Sequence, residues 1–430
     1  MIQELKFKNF LSFRDEVVFS FEPTKDDHVN RVAIMPDGTK LLRFAVVFGA
    51  NASGKSNFMK VFDFLRRFWT QVPGRNDLST RITPFLLDKN TPTEDSSFEF
   101  KFYVGNVRYW YKLSLNKERV SGESLLFYES NRPTRIFWRE FIDGQSVVNF
   151  NPTVVKLKAS EIEAININCW KNMSLFASMA KVNINIPYVV EVINWINGKL
   201  MPRIDNRTEL SGFAKELMLN EESFRKYLKS FLKTADLRIA DVNVKEISHS
   251  LNDQQIRMLY GASFIDPYQK NDILSGGSVN DIDAGFKVRV KNSRGVEEYI
   301  LPESEQSDGT TRVIEIESAI YTAIKEQAFL PIDEIEASLH PSLLDYVLNE
   351  FLKVNDNQSQ LLVTTHYDPL LDSLDVDDLF GKDSVWFTEK KEDGNTELYP
   401  LTDFKGLNKL SSIRKSYKNG QFGAIPEIYV

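Results

Sequence analysis

One octapeptide constrains this chain more than any other part of it. Gly49-Ala50-Asn51-Ala52-Ser53-Gly54-Lys55-Ser56 fits the pattern GxxxxGK[ST]. Directly before it stands an unbroken apolar run, Phe44-Ala45-Val46-Val47-Phe48, the pattern of a strand buried on both faces of a sheet. After it Phe58, Val61, Phe62, Leu65 and Trp69 recur at three- and four-residue steps, which is helical periodicity. A buried strand, a glycine-rich turn and an amphipathic helix in that order belong to an α/β fold. In such a turn the backbone N–H groups around Gly49, Asn51, Ser53 and Gly54 face inward on phosphate oxygens, and the helix N-terminus adds its positive end. Lys55 is expected to reach the β- and γ-phosphates, and the Ser56 hydroxyl to ligate Mg²⁺. The bland alternative is a turn without a ligand, and both flanking patterns weigh against it.

A second apolar run, Phe329-Leu330-Pro331-Ile332, delivers two carboxylates, Asp333 and Glu334, to the carboxyl end of an expected strand. Ligands of open α/β sheets bind at that edge. There Asp333 would hold Mg²⁺ through water, and Glu334 would orient or deprotonate an attacking water. Pro331 cannot donate a ladder hydrogen bond in a central strand, so a local irregularity is expected. A third apolar run ends in Thr364-Thr365-His366. That histidine can contact a γ-phosphate and sense its presence; a hydrogen-bonded loop histidine is the alternative. Fourth, Ser307-Asp308-Gly309-Thr310 opens a helix carrying Val313, Ile316, Ile320 and Ile324. Ser307, Gly309 and Thr310 make either a plain helix cap or an anion site for a γ-phosphate held by a second subunit. Leu274-Ser275-Gly276-Gly277-Ser278 competes for that role, but it lies 58 residues before Asp333 and strand-like sequence follows it. Ser307 lies 26 residues before Asp333, room for one helix and a turn, and is preferred.

The rest of the chain frames these motifs. Its 430 residues are 42% hydrophobic and 26% charged, with 31 Phe, a composition that folds rather than one that stays disordered. No apolar run reaches the roughly 18 residues of a membrane span, and the start has no signal-peptide stretch. One cysteine, Cys169, and four histidines exclude a disulfide framework and a cysteine metal cluster. A cytoplasmic location is expected. A net charge of −7 means that nucleic acid would need a local basic patch. One such stretch, with Lys405, Lys409, Arg414, Lys415 and Lys418, reads more simply as a solvated helix face. Two antiparallel strands with a turn at 11–14 are expected first, then strands at 97–104, 109–115 and 124–128. Helical texture fills 160–233, strands return at 239–247, 286–290 and 297–301, and a hairpin closes the chain at 384–401. No heptad pattern is sustained, so no long coiled coil is expected. The domain reading is a core in two parts, 1–155 and 236–430, around a mostly helical insertion lobe at 156–235.

Together the motifs resemble the soluble ABC-type ATPases of the SMC and RecF kind, and more closely the RloA-like group of prokaryotic anti-phage operons, which includes the ATPases of the Septu and PARIS systems. The resemblance is carried by KNFLSFRD (8–15), GANASGKSN (49–57), PF (84–85) and ADLRIADVNV (235–244). It continues in QSDGTTR (306–312), IDEIEASLHP (332–341), TTHYDPLLD (364–372) and FGAIP (422–426). It implies an ABC-type P-loop ATPase head with a mixed sheet, ATP and Mg²⁺ as cofactors, and a head-to-tail dimer that sandwiches two nucleotides. In that picture Ser307, Gly309 and Thr310 of one subunit complete the site formed by Gly54, Lys55 and Ser56 of the other. Ser338 and His340 would line the dimer seam, Arg14 would contact the base or ribose, and Glu336 would either support the metal or its water or stand as an exposed acidic residue. One departure is the glutamine that many ABC ATPases place after the phosphate loop: Gln71 is too close to Lys55 to serve.

The related OLD nucleases carry a TOPRIM nuclease domain after the ATPase, and the 64 residues that follow His366 are too few for one. Asp375-Val376-Asp377-Asp378 has the look of a metal site but reads more simply as a short helix or turn. The resemblance therefore implies a slow, partner-gated ATPase, homodimeric or larger, that regulates a separate effector nuclease of TOPRIM or HNH type, triggered by DNA, RNA or a phage protein and with no membrane. The alternatives are a RecF-like DNA-clamping ATPase and a soluble ABC-transporter motor. The 250 residues between Ser56 and Ser307 oppose the second of these.

Overall fold

In a computed structural model of the chain, the apolar run before the glycine-rich turn is the strand Phe44–Phe48, every residue of it buried. It lies in the middle of a five-stranded sheet in the order Phe329–Ile332, Gln360–Thr365, Phe44–Phe48, Val385–Lys390, Thr396–Pro400. The first four strands run parallel and the last joins antiparallel. The structure describes residues 1–24, 31–74, 76–130, 132–235, 239–250, 278–337, 339–354, 357–372, 374 and 380–425.

Parallel pairing brings three strand ends side by side. Thr365 is opposite Phe48, and Ile332 is opposite Val363. The turn that starts at Gly49, the Asp333-Glu334 pair and His366 therefore emerge at one carboxyl edge, where α/β sheets bind ligands. The irregularity expected at Pro331 is absent from the ladder with Gln360–Thr365 and falls on the outer side, where 200–204 meets the strand in the isolated bridges Leu200–Phe329 and Ile204–Ile332. Phe329 and Pro331 turn their carbonyls outward, accepting from the N–H groups of Met201 (3.0 Å) and Ile204 (2.9 Å). The missing N–H of Pro331 thus falls on the side away from Gln360–Thr365, where the ladder does not need it.

A second, antiparallel sheet has seven strands. Their order is Gln145–Phe150, Pro133–Ile142, Val120–Tyr128, Val107–Leu115, Ser96–Val104, Ile2–Lys8 and Val17–Ser20. The helix Lys55–Thr70 touches both sheets through its aromatic residues. Phe64 meets Phe98 at 5.3 Å and Trp69 meets Tyr111 at 5.3 Å, while Phe62 meets Phe329 of the parallel sheet at 4.9 Å. Burying rings of this size supplies about 1.5–3 kcal/mol each, which makes the helix the shared core of the two sheets.

The strands Pro133–Ile142 and Gln145–Phe150 escape the sequence pattern because a charge sits on the inward face. Arg139 and Glu123 are both buried and pair at 3.1 Å. Arg139 Nη2 donates to Trp170 O at 2.6 Å, and Glu123 Oε1 accepts from Tyr111 Oη (2.9 Å) and Leu175 N–H (3.0 Å). Burial pushes the Glu123 carboxyl above its usual range, with Arg139 opposing.

These two sheets belong to one unit, Met1–Arg207 with Thr322–Ala337 and Val347–Val430. The other unit is Thr208–Tyr321 with Ser338–Tyr346. It holds the helices Ser211–Asn220 and Glu222–Thr234 and an antiparallel sheet of Ile239–Ser250, Ser278–Asn292 and Gly295–Pro302. The stretch 156–235 is helical but divided: Ala159–Asn168, Leu175–Ser178 and Pro187–Lys199 lie in the first unit, and the later two helices in the second. The longest helix among the described residues, Asp308–Glu326, has 19 residues, and none is long and apolar enough to cross a membrane.

Replacing Arg139 by Met would leave Glu123 buried without its cation. Unfolding free energy is expected to fall by about 3–5 kcal/mol, read by urea denaturation. The double variant Arg139→Met, Glu123→Leu should recover most of that loss. A single variant as stable as the parent chain would show that the pair does not hold this sheet together.

Candidate active site

The turn at 49–56 is as tight as its glycines require. Gly54 has φ +114°, and a Cβ there would lie 2.5 Å from Thr396 Cγ2. A Cβ on Gly49 would lie 2.5 Å from Ser53 Oγ and press on Thr388. Both threonines come from the closing hairpin, which backs the turn. Ser53 Oγ and Thr388 Oγ1 are 2.7 Å apart, and Thr396 Oγ1 donates to Ser53 O at 3.1 Å. Ser12 joins the same cluster: its Oγ is 2.9 Å from Thr396 Oγ1 and accepts from Asn57 Nδ2 at 3.0 Å.

Lys55 is buried at the base of the turn, and its Nζ donates to Gly49 O (2.7 Å) and Ala50 O (3.0 Å). Burial draws the ammonium below its ordinary range, and Glu336, Glu334 and Asp333 pull it back up. A cavity of about 520 Å³ opens above it, lined by residues 51–57 together with Ser12, Glu334, His366 and Lys390.

Asp333 lies buried at the carboxyl edge with both oxygens engaged. Oδ1 accepts from Thr364 Oγ1 at 2.5 Å, and Oδ2 from Arg203 Nη1 at 3.1 Å. Arg203 also binds Asp63 (2.7 Å) and Asp205 (3.0 Å), so one guanidinium serves three carboxylates. The Thr364 hydroxyl accepts from the Glu334 N–H at 2.9 Å, and Glu334 takes the left-handed φ of +53°. His366 Nδ1 lies 2.7 Å from Glu336 Oε1.

The first unit thus brings together Gly49, Asn51, Ser53, Gly54, Lys55, Ser56, Asp333, Glu334 and His366. Ser307, Gly309 and Thr310 belong to the second unit. There Ser307 caps the helix Asp308–Glu326, its Oγ accepting from Thr310 N–H at 3.2 Å. His340 likewise starts a helix, with Leu343 N–H donating to its carbonyl at 2.8 Å. Arg14 is paired with Asp393 (2.7 Å) and Asp15 (3.1 Å), while Ser12, two residues earlier, lines the cavity. Gln71 ends its helix and lines other cavities. In the basic stretch, Arg414 is held by Asp368 and Asp372. Ser338, residues 274–277 and residues 375–378 lie outside the described residues, and Ser278 begins a strand.

The donors suit magnesium. Ser56 offers a hydroxyl and Asp333 a carboxylate, hard oxygen ligands, and no cage of three acidic, histidine or cysteine residues occurs among the described residues. Mg²⁺ commonly takes one or two protein oxygens and completes its shell with water and substrate phosphates.

Residues 44–373 match the family model described as "AAA domain, putative AbiEii toxin, Type IV TA system". The chain belongs to this AAA family. Among solved structures it is similar to the SMC head domain from Thermotoga maritima, at 12% identity and TM-score 0.38 over 93% of this chain and 98% of that one. It is also similar to an SmcHead bound to the C-winged helix domain of ScpA, at 13% and 0.42 over 96% and 99%. A third is an Smc head domain with an extended coiled coil bound to the C-terminal domain of ScpA, derived from Pyrococcus furiosus, at 14% and 0.34 over 98% of each. No curated protein matches the chain.

Gly54→Ala tests the tightness of the turn in this AAA domain. A side chain at that φ is strained by about 1–3 kcal/mol, and the Thr396 contact adds to it. ATP affinity, read by titration of a fluorescent analogue, is expected to fall roughly 10- to 100-fold with the circular dichroism spectrum unchanged. Unaltered affinity would mean that nucleotide is held elsewhere.

Proposed function

We propose that this AAA protein binds and hydrolyses MgATP at the 49–56 turn and works as a dimeric switch. The observation that carries the reading is the convergence of Lys55, Ser56, Glu334 and His366 on one cavity, with Asp333 beneath it. Lys55 supplies the cation for the β- and γ-phosphates, and the backbone N–H groups of the turn cradle them. Magnesium, taken by Ser56 and, through water, by Asp333, would offset the phosphate charge. Glu334 orients and deprotonates the attacking water, and the Thr364 hydroxyl holds its backbone in place. His366 meets the γ-phosphate side.

Ser307, Gly309 and Thr310 head a helix whose N-terminus suits an anion, and we place them against the nucleotide of a second copy. Two copies would then close on two nucleotides, so hydrolysis is slow until a partner favours closure. The family description, with its toxin and type IV TA system, supports an abortive-infection role. In that role the ATPase regulates a separate nuclease effector, TOPRIM or HNH, in the cytoplasm, with DNA, RNA or a phage protein as trigger.

Three variants test this. Lys55→Ala should abolish ATP binding; normal affinity would refute the assignment of the turn. Glu334→Gln should keep binding, lower kcat by more than about 100-fold and accumulate dimer in light scattering. Unchanged turnover would hand water activation to another residue. Ser307→Arg should block hydrolysis while sparing binding at Lys55, and intact hydrolysis would return attention to residues 274–278.

A further inference from the structure

Glu336 is not the exposed acid that its place in a loop suggests. Its side chain is 12% exposed, against 57% for His366. A single oxygen, Oε1, meets that histidine twice: it accepts from the backbone N–H at 2.8 Å and lies 2.7 Å from Nδ1. The other oxygen, Oε2, is buried and has no hydrogen-bond partner among the described residues. Packing alone disfavours such an arrangement, because buried carboxylate oxygens without partners are destabilising. The ring it holds is one wall of the cavity that contains Lys55, Ser56 and Glu334.

A neutral imidazole carries one ring proton, and the nitrogen that keeps it decides what the other can do. With Nδ1–H donating to Glu336, Nε2 is an acceptor. The backbone bond fixes the root of the side chain and the close Nδ1–Oε1 approach restrains its rotation, so both constraints converge on one oxygen. Carboxylates orient catalytic and metal-bound imidazoles in the same way.

We propose that Glu336 is a positioning residue that holds His366 in its Nδ1–H tautomer, with Nε2 presented to the cavity as a hydrogen-bond acceptor. The consequence for turnover rests on the ATPase reading above; the tautomer does not. In this form His366 accepts a hydrogen bond from water or an ammonium group in the cavity. It donates to a phosphate oxygen only as imidazolium, and Glu336 then lies on the far side of the ring to offset the charge.

Histidine-selective ¹⁵N labelling of the whole chain tests the assignment. The sequence has four histidines, and His366→Gln identifies the relevant signal. Where its ¹⁵N shifts report the neutral ring, His366 should show a protonated Nδ1 and an unprotonated Nε2. Glu336→Ala should draw the two nitrogen shifts toward a common average and lower kcat roughly tenfold, with ATP affinity within about twofold of the parent. Glu336→Gln keeps an acceptor at Oε1 and should restore the tautomer and most of kcat. If His366→Gln turns over normally while the tautomer responds as described, the ATPase reading of His366 fails and the tautomer assignment is upheld. An Nε2–H tautomer in the parent chain, or an unchanged tautomer in Glu336→Ala, overturns the proposal.

Discussion

The chemistry of the first unit depends on one ladder, the parallel pairing of Phe44–Phe48 with Gln360–Thr365. Slipping it by a residue would exchange the faces of the strand and carry His366 away from the turn. Two buried polar side chains at its other end hold the register. Gln360 donates through Nε2 to Ile2 O (2.8 Å) and Leu42 O (3.1 Å). Arg43 donates to the carbonyls of Val354 and, at 3.3 Å, Phe351. An apolar ladder alone would tolerate more than one alignment, whereas buried groups that must all find partners permit one. Register is therefore set at the amino edge and expressed at the carboxyl edge, where the candidate site residues emerge.

The helix Lys55–Thr70 transmits that geometry. Its first residue is the candidate phosphate-binding cation, and its next two turns carry Phe58, Phe62 and Phe64 into the core. Moving the turn at 49–56 would mean moving a helix wedged by aromatic contacts between two sheets. The closing hairpin adds a second restraint, since Thr388 and Thr396 fill the space that side chains on Gly49 and Gly54 would need. Rigid support of this kind lets a loop of small residues keep its N–H groups converged.

Most of this was legible wherever periodicity and burial agree. Phe44–Phe48, Lys55–Thr70 and Gln360–Thr365 bury residues in the pattern their sequence displays. Legibility fails where a polar residue is buried because a distant partner satisfies it. Arg139 hides a strand because Glu123 and two carbonyls, invisible to local reading, neutralise it. Thr388 and Thr396 back the turn from hundreds of residues away and no local motif marks them, while Ser12, inside the 8–15 motif, joins them from the N-terminal side. Arg203 is the same case: nothing near it announces that three aspartates will meet it. Pro331 shows the converse, a warning met at the outer side of the strand, where only its carbonyl is used, so that the ladder with Gln360–Thr365 stays regular.

The Arg203 cluster also satisfies the Asp333 carboxylate in a buried setting. A buried carboxylate is costly unless its oxygens find partners. Here Thr364 holds one oxygen and Arg203 the other, and Arg203 is anchored in turn by Asp63 on the helix that begins at Lys55. Removing the arginine would take from Asp63, Asp205 and Asp333 the cation they share. The same guanidinium thus pairs Asp333 and ties it to the Lys55 helix. With both oxygens already engaged, Asp333 is better suited to hold a metal through water than to bind it directly, which is the role its place in the sequence suggests.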